Sequence, residues 1–378
     1  MTPADVHYMA RAIQLADLGR YTTHPNPRVG CVLVKNGKIV GEGFHRRAGE
    51  PHAERNALAM AGDQARGATA YVTLEPCCHQ GRTPPCSDGL IEAGVQRVVV
   101  AMQDPNPRVA GQGMAQLRAA GIQVDEAVLT TEALALNPGF IKRMTVGKPY
   151  VRCKLAMSLD GRTAMASGES KWITGDAARL DVQRLRARSD AIVTGIGTVL
   201  ADDPSMNVRL KATQLPGVDS DDYLLQPLRV VLDPALQMSA EARMLQLPGK
   251  TLIVTASTDK TLTHALVDAG AEVMVLPHKE GRVDLSLLLE ELTNRGINET
   301  LIESGPTLAG AAVAAGLVDE LVLYAAPLLM GSDARGLLTM PTLIEMKDRI
   351  ELEIQDLRMV GRDIRITAHP HVDSTTGS

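Results

Sequence analysis

A chain of 378 residues exceeds the size at which one hydrophobic core keeps growing, so two domains are expected. Hydrophobic residues at 45% and charged residues at 22% are ordinary for a globular chain and exclude extensive disorder. A net charge of −5 with 2% aromatics argues against a nucleic-acid partner, which needs a basic surface and stacking platforms, and favours a small-molecule substrate.

No apolar run approaches the ~20 residues of a membrane span. The N-terminus also lacks a basic-then-apolar export signal, so a cytoplasmic protein with no membrane partner is expected. Thr2-Pro3-Ala4-Asp5 combines an N-cap, a first-turn proline and a first-turn acid, which predicts a helix to about Gly19. Two strands, 29–35 and 38–43, follow and are joined by the hairpin signal Asn36-Gly37. A helix begins near His52 and stops before Gly62. Then come strand 70–74, helix 87–93, strand 97–102, helix 112–120 and strand 122–127, an alternation that predicts parallel strands with helices on both faces. A helical connector over 131–144 ends at Gly147-Lys148-Pro149, where the domain boundary is placed.

The second half also alternates. Strands are expected near 150–157, 191–194, 228–232, 251–255, 272–276, 300–303 and 320–325, and helices near 176–187, 261–269, 284–295 and 307–315. The polar, Pro- and Gly-containing stretch from Lys211 to Gln226 reads as a surface loop, and His369 to Ser378 as a loose tail. No internal repeat is present, so the halves read as different α/β domains.

Five cysteines, an odd number in a long chain, speak against a disulfide framework. Cys31 and Cys153 lie in apolar runs and read as inert core residues. Cys77, Cys78 and Cys86 lie within ten residues. His52, Cys77 and Cys86 suit zinc, and three protein ligands leave a fourth position for the attacking water. Glu54, two residues beyond His52, can reach that water without being a ligand and is the natural proton shuttle. H-x-E with paired cysteines is the pattern of the zinc deaminases. Its cysteines are normally two residues apart, whereas eight separate Cys77 from Cys86. The competing reading, in which Cys78 or His79 completes a closed structural site, leaves Glu54 without a purpose.

In the second half, Gly195-x-Gly197-Thr198 follows an apolar strand and Glu303-Ser304-Gly305-Pro306-Thr307 joins a strand to a helix. Either alone is an ordinary tight connection. Two such loops together favour a dinucleotide phosphate site.

Over nearly its whole length the chain resembles the bifunctional riboflavin-biosynthesis deaminase–reductase family. The resemblance rests on Thr23 to Pro27, His52-Ala53-Glu54, Glu75 to Cys86 and Gln103 to Pro107. It continues through Lys154 to Gly161, Trp172 to Thr174, Gly195 to Pro204 and Glu303 to Leu308, and the eight-residue cysteine spacer is usual in that family. It implies a cytidine-deaminase-like three-layer α/β/α domain over 1–147, a dihydrofolate-reductase-like α/β domain over 148–370 and a flexible tail, 371–378. It also implies Zn2+ and NADPH as cofactors, a phosphorylated pyrimidine substrate and a homo-oligomer, with a dimer favoured, through the reductase domain. Asn26, His45, His79 and Arg82 match positions around the deaminase substrate. From the residues alone, Asn26 is equally a turn former and His45 equally a surface histidine. Ala156, Trp172, Thr198, Asp202, Gly305, Pro306, Thr307 and Leu308 match cofactor contacts. Lys154, Ser170, Arg186, Met206, Arg209 and Glu303 match contacts to the reductase substrate. Pro234 stands where some relatives carry a cofactor-contacting serine. The general acid of the reductase stays open between Asp202, Glu303, Lys154 and water.

Overall fold

The computed structural model describes residues 2–79, 84–107, 109–279 and 281–371. Contacts divide the chain into two units: one takes the residues up to Lys148 together with Lys211–Leu225, the other Pro149–Leu210 and the residues from Gln226 onward.

The first unit opens with α1 (Pro3–Asp17), where Thr2 and Asp5 cap each other reciprocally. The hairpin β1 (Gly30–Lys35) and β2 (Lys38–Phe44) turns through Asn36 and Gly37 at φ 51° and 72°, as an Asn-Gly turn requires. There follow α2 (Ala53–Ala61), β3 (Thr69–Val72), α3 (Cys86–Glu92), β4 (Arg97–Val100), α4 (Gln112–Ala119) and β5 (Gln123–Glu126). The expected single connector is two helices, α5 (Thr130–Leu136) and α6 (Pro138–Val146). The break is at Asn137, whose side chain accepts from Arg28 N–H and donates to Arg28 C=O, both at 2.8 Å.

The sheet runs β2-β1-β3-β4-β5; β1 is antiparallel to both neighbours, and only β3, β4 and β5 are parallel. Alternate residues enter opposite cores. Cys31, Leu33, Val98 and Val100 pack with Ala53, Ala57 and Leu90, whereas Val32, Val34 and Val99 pack with Met9, Ala12 and Phe140. Burial on both faces gives the three-layer α/β/α architecture. Helix α2 lies almost in backbone contact with the hairpin. A Cβ at Gly41 would sit 2.3 Å from the Ala57 carbonyl oxygen, and one at Gly43 2.4 Å from that of Ala53.

The second unit contains β6 (Tyr150–Ser158), β7 (Arg162–Ala164), α7 (Asp176–Ala187), β8 (Ala191–Gly195), α8 (Ile196–Asp202) and β9 (Leu228–Leu232). It continues with β10 (Thr251–Thr255), α9 (Lys260–Asp268), β11 (Glu272–Val275), β12 (His278–Lys279), β13 (Arg282–Val283) and α10 (Leu285–Asn294). The last elements are β14 (Glu299–Glu303), α11 (Pro306–Ala314), β15 (Glu320–Ala326), β16 (Arg335–Gly336), β17 (Leu352–Val360) and β18 (Asp363–Pro370). Nine strands form one sheet in the order β11-β10-β9-β8-β14-β6-β15-β18-β17, all parallel except β18, which runs antiparallel to both its neighbours, β15 and β17. Val193 and Val230 face one core, Ile192 and Val231 the other.

Further features differ from expectation, beginning with the short strands β7, β12, β13 and β16, which were not anticipated. Helix α8 begins directly after Gly195, where a turn was expected. Strands β17 and β18 were not anticipated, and β18 carries His369, so the tail does not begin there; residues 372–378 lie outside the described residues. The stretch expected to be a loose surface loop packs, over Lys211–Leu225, as part of the first unit because Leu215 and Val218 are buried.

Asp5 ties α1 to the sheet. It is 1% exposed and accepts from Tyr71 at 3.0 Å, Arg97 at 2.7 Å and Thr2 N–H at 2.8 Å. The Arg97 guanidinium outweighs burial and holds the carboxyl far below the usual carboxylate range. A depressed folded-state pKa stabilises the fold above the unfolded value, ~3.9, and that contribution is lost as the pH falls further. Asp5→Ala is expected to lower the unfolding free energy by about 2 kcal/mol at neutral pH, the deficit shrinking below pH ~3.9. Urea titrations at both pH values followed by circular dichroism measure this; equal stability at neutral pH would remove Asp5 from this role.

Candidate active sites

In the first unit His52 is the N-cap of α2, Cys77 follows β3 and Cys86 is the first residue of α3. One donor atom from each lies within 4.8 Å of the others, and the His52 Nδ1 is 3.5 Å from Cys77 Sγ and 3.3 Å from Cys86 Sγ. Among the described residues this group has three members and excludes Cys78, as an open zinc site requires. The imidazole and two sulfurs fit zinc in donor chemistry and in spacing. Glu54, in the first turn of α2, is 3% exposed. Burial and then the negative charge of Cys77 push its carboxyl up to about 7, which suits a group that must both take and give a proton.

The two ends of the cysteine loop are clasped. Ser87 N–H and Oγ both donate to the Cys77 carbonyl at 3.1 Å, and Arg55 Nη2 donates to the Pro85 carbonyl at 2.7 Å. Arg55 adjoins Glu54 in sequence, yet this contact was not anticipated. Glu75 was quoted only as part of a motif. Its carboxylate accepts three backbone N–H groups, from Asp104 at 3.2 Å, Gly111 at 2.9 Å and Met114 at 3.2 Å, and so fixes the loop beside the cysteines.

Of the expected pyrimidine contacts, Asn26 Nδ2 lies 3.0 Å from His45 Nε2, and the His45 ring meets the His52 ring edge-on at 5.1 Å. His45 is buried at 3% exposure rather than a surface histidine, and burial lowers its pKa. His79 is exposed, and Arg82 lies outside the described residues.

In the second unit Lys154 on β6, Glu303 at the end of β14 and Gly195 at the end of β8 lie on three adjacent parallel strands, whose carboxyl ends are the usual ligand position in a parallel sheet. Glu303 ends β14 in register with Lys154 on β6. Arg186, from α7, makes two bonds to Glu303, at 2.6 and 2.9 Å, and donates to the Asn207 carbonyl at 3.1 Å. Arg209 donates to the Asn207 side chain at 3.2 Å. Burial lowers the Lys154 pKa, Glu303 partly opposing it; burial raises that of Glu303, but Arg186, Lys154 and Arg209 together outweigh it and keep the group below the usual range. Met206 is buried with a left-handed backbone, φ 46°.

Gly305 N–H donates to Thr198 Oγ1 at 3.3 Å, so the two glycine-bearing connections touch. A Cβ added at Gly197 or Gly305 would meet nothing within 4 Å, leaving the backbone open for the close approach that a dinucleotide phosphate needs. Pro306, Thr307 and Leu308 form the first turn of α11, with Leu308 turned toward the core. Asp202 pairs with Lys171 at 2.9 Å. Trp172 is 69% exposed with the Arg179 guanidinium over its ring at 4.7 Å, so it is not a core residue. Ser170 and Ala156 are half-buried.

A His-Cys-Cys centre with a buried glutamate on an α/β/α unit, followed by a unit with a phosphate-type cradle at its strand ends, defines a zinc-dependent deaminase joined to a dinucleotide-dependent reductase. Residues 3–102 match the cytidine and deoxycytidylate deaminase zinc-binding region, and residues 149–366 the RibD C-terminal domain. The riboflavin biosynthesis protein RibD of Escherichia coli is 53% identical over 95% of this chain and 98% of its own, and that of Haemophilus influenzae 51% over 97% of each. A solved structure of RibD from Acinetobacter baumannii superposes with a TM-score of 0.90 at 45% identity, covering 98% of this chain and 99% of the other. The chain belongs to the RibD family, the bifunctional deaminases and reductases of riboflavin biosynthesis, with zinc and NADPH as their cofactors.

Arg186→Ala would strand the Glu303 carboxylate. NADPH-dependent reduction is expected to fall about 100-fold or more while ammonia release stays unchanged. Separate assays of the two signals test this, and undiminished reduction would remove the pair from the site.

Proposed function

We propose that the chain performs two consecutive steps. The first is hydrolytic deamination of 2,5-diamino-6-(5-phosphoribosylamino)pyrimidin-4(3H)-one. The second is NADPH-dependent reduction of the ribosyl group of the product, giving 5-amino-6-(5-phosphoribitylamino)uracil. It is thus a zinc-dependent hydrolase and an NADPH-dependent oxidoreductase in one chain. The observation that carries this reading is the buried Glu54 beside the His52, Cys77 and Cys86 donors. A solved Thermotoga maritima protein described as a diaminohydroxyphosphoribosylaminopyrimidine deaminase/5-amino-6-(5-phosphoribosylamino)uracil reductase supports it, at 32% identity, 97% and 99% coverage and a TM-score of 0.82.

His52, Cys77 and Cys86 would hold zinc, which when bound would supply the Lewis acidity that makes water a nucleophile near neutral pH. Glu54 takes a proton from that water as its oxygen adds to the ring carbon and delivers it to a ring nitrogen; it then takes the second proton from the added hydroxyl and gives it to the amino group, which leaves as ammonia as the carbonyl forms. Asn26 and His45 face the pyrimidine, with His79 and Arg82 contributed by the cysteine loop. In the reductase domain NADPH, when bound, would supply the hydride. Thr198, Asp202, Ala156, Trp172 and the turn from Gly305 to Leu308 hold the cofactor. Lys154, Ser170, Arg186, Met206, Arg209 and Glu303 orient the opened sugar and its phosphate. The deaminase domain comprises 1–147 with the added segment 211–225, and the reductase domain the rest of 148–370.

The reading extends to assembly and place. Leu352, Ile354, Leu357 and Met359 of the terminal strand β17 are 43%, 59%, 63% and 62% exposed. A bulge between Ile354 and Asp356 keeps all four on one face, opposite Pro370, Ala368, Ile366 and Ile364 of β18. An exposed apolar stripe on an edge strand supports a homodimer through the reductase domain. Five free cysteines, two of them zinc ligands, support a reducing, cytoplasmic setting.

Glu54→Gln is expected to retain zinc and lose about 10²–10⁴-fold in deamination. Chelation should abolish ammonia release while reduction of supplied deaminated intermediate survives. Turnover by Glu54→Gln at the wild-type rate would overturn the mechanism. By light scattering at micromolar concentration the protein is expected to be a dimer and the double variant Leu357→Asp, Met359→Asp a monomer; a monomeric wild type would sink the assembly.

A further inference from the structure

The segment 211–225 contains only two short 3-10 turns, Ala212–Gln214 and Asp221–Tyr223, yet it packs as an integral part of the first unit. Its base is closed by the Gln226 side chain, which accepts from Val208 N–H at 2.9 Å and donates to Val208 C=O at 3.1 Å. Ala212 N–H donates to Asp221 Oδ1 at 2.6 Å and closes the loop upon itself. At its tip Gly217, φ 75°, lies so close to the residue after α1 that a Cβ would sit 2.0 Å from the Leu18 carbonyl oxygen. Its far end meets the loop between β2 and α2. The Arg47 guanidinium lies 3.3 Å from the centre of the Tyr223 ring and also pairs with Glu50, while Arg46 pairs with Asp219 at 2.8 Å.

The two stretches it touches bracket the pyrimidine-facing groups. Thr22 Oγ1 donates to the Arg46 carbonyl at 2.6 Å, tying the end of one stretch to the start of the other. Asn26 follows the first stretch. The second, 45–51, begins with His45 and ends against His52, and His45 Nδ1 lies 3.3 Å from the Pro51 carbonyl across it. Arg47 and Glu50 lie within the loop that joins the two histidines. The only aromatic ring stacked on Arg47 among the described contacts is that of Tyr223.

We propose that Tyr223 is a positioning residue for deamination: its ring, stacked on Arg47, fixes loop 45–51 and hence holds the His45 ring in its place against the substrate. This rests on the reading of His45 as a substrate contact. The neighbouring Arg46–Asp219 pair is 53% and 67% exposed, so solvent screening leaves it little positional force. The cation–π stack is less sensitive to water, and a misplacement of about 1 Å suffices to slow a reaction by orders of magnitude.

The test uses the full-length, zinc-loaded protein and the variants Tyr223→Ala, Tyr223→Phe, Asp219→Ala and His45→Ala. Deamination is measured with kcat and KM resolved, alongside zinc content and reduction of supplied deaminated intermediate. Tyr223→Ala is expected to lower deaminase kcat/KM about tenfold, mainly through KM, with zinc content and reduction at wild-type level. Tyr223→Phe keeps the ring and should restore activity; Asp219→Ala should cost no more than about twofold. If His45→Ala is impaired and Tyr223→Ala is not, the inference fails while the substrate reading stands. If Tyr223→Ala loses zinc or both activities, the residue is merely structural and the inference is overturned. A His45→Ala variant with wild-type deamination removes the premise itself.

Discussion

The near-contact of α2 with the β1–β2 hairpin is the constraint on which the deaminase centre depends. Gly41 and Gly43 present bare backbone to the helix, and the helix answers with Ala53, Ala57 and Ala61, spaced by four and therefore on one face. Only small residues on both sides permit this separation. It sets the depth at which His52, capping the helix, and Glu54, in its first turn, enter the site. A side chain larger than hydrogen at either glycine would lift the helix and carry both groups with it. The cysteines are held by a different device, in which the ends of their loop are bonded through Ser87 and Arg55. Ligand geometry thus depends on backbone packing on one side and on carbonyl capture on the other.

The reductase half solves an electrostatic problem instead. Lys154, Arg186 and Arg209 surround a single carboxylate, Glu303, and three cations against one anion leave an excess of positive charge at the strand ends. Burial opposes charging Lys154, and Glu303 only partly relieves it. Such a cluster is unfavourable until an anion arrives, which is the condition expected of a site for a phosphorylated sugar. The bidentate Arg186–Glu303 pair keeps the carboxylate ionised and its orientation fixed.

Much of this was legible because the informative features are local. His52-Ala53-Glu54 places a histidine that meets the two cysteines and a buried carboxylate within one helical turn, Asn36-Gly37 names its own turn, and the apolar runs of β6, β8, β9 and β10 read as buried parallel strands. What was missed depends on distant partners. Strand β17 alternates charged and apolar residues across a bulge and keeps its apolar side exposed, so neither simple period marks it. Arg55 and Glu75 act on backbone groups about 30 residues away, a relation no spacing encodes. Gly195 seemed to open a phosphate turn, whereas the chain enters α8 at once, because a glycine N-cap does both.

The segment 211–225 shows why composition misleads at such places. Its polar residues and turn formers describe one side correctly, since Asp219, Asp221 and Asp222 are exposed. The few apolar residues, Leu215 and Val218, decide where it lies. Docking so irregular a stretch is unfavourable in entropy unless it is ordered beforehand. The Gln226–Val208 pair and the Ala212–Asp221 bond supply that order from within the segment and its base. The Arg46–Asp219 contact spans 173 residues of sequence, but closing a loop grows costlier only logarithmically with length. Once the base is closed, the segment behaves as a short preformed loop. A first unit discontinuous in sequence is therefore no heavier a burden than a continuous one, and residues far along the chain can hold a loop beside the zinc ligands.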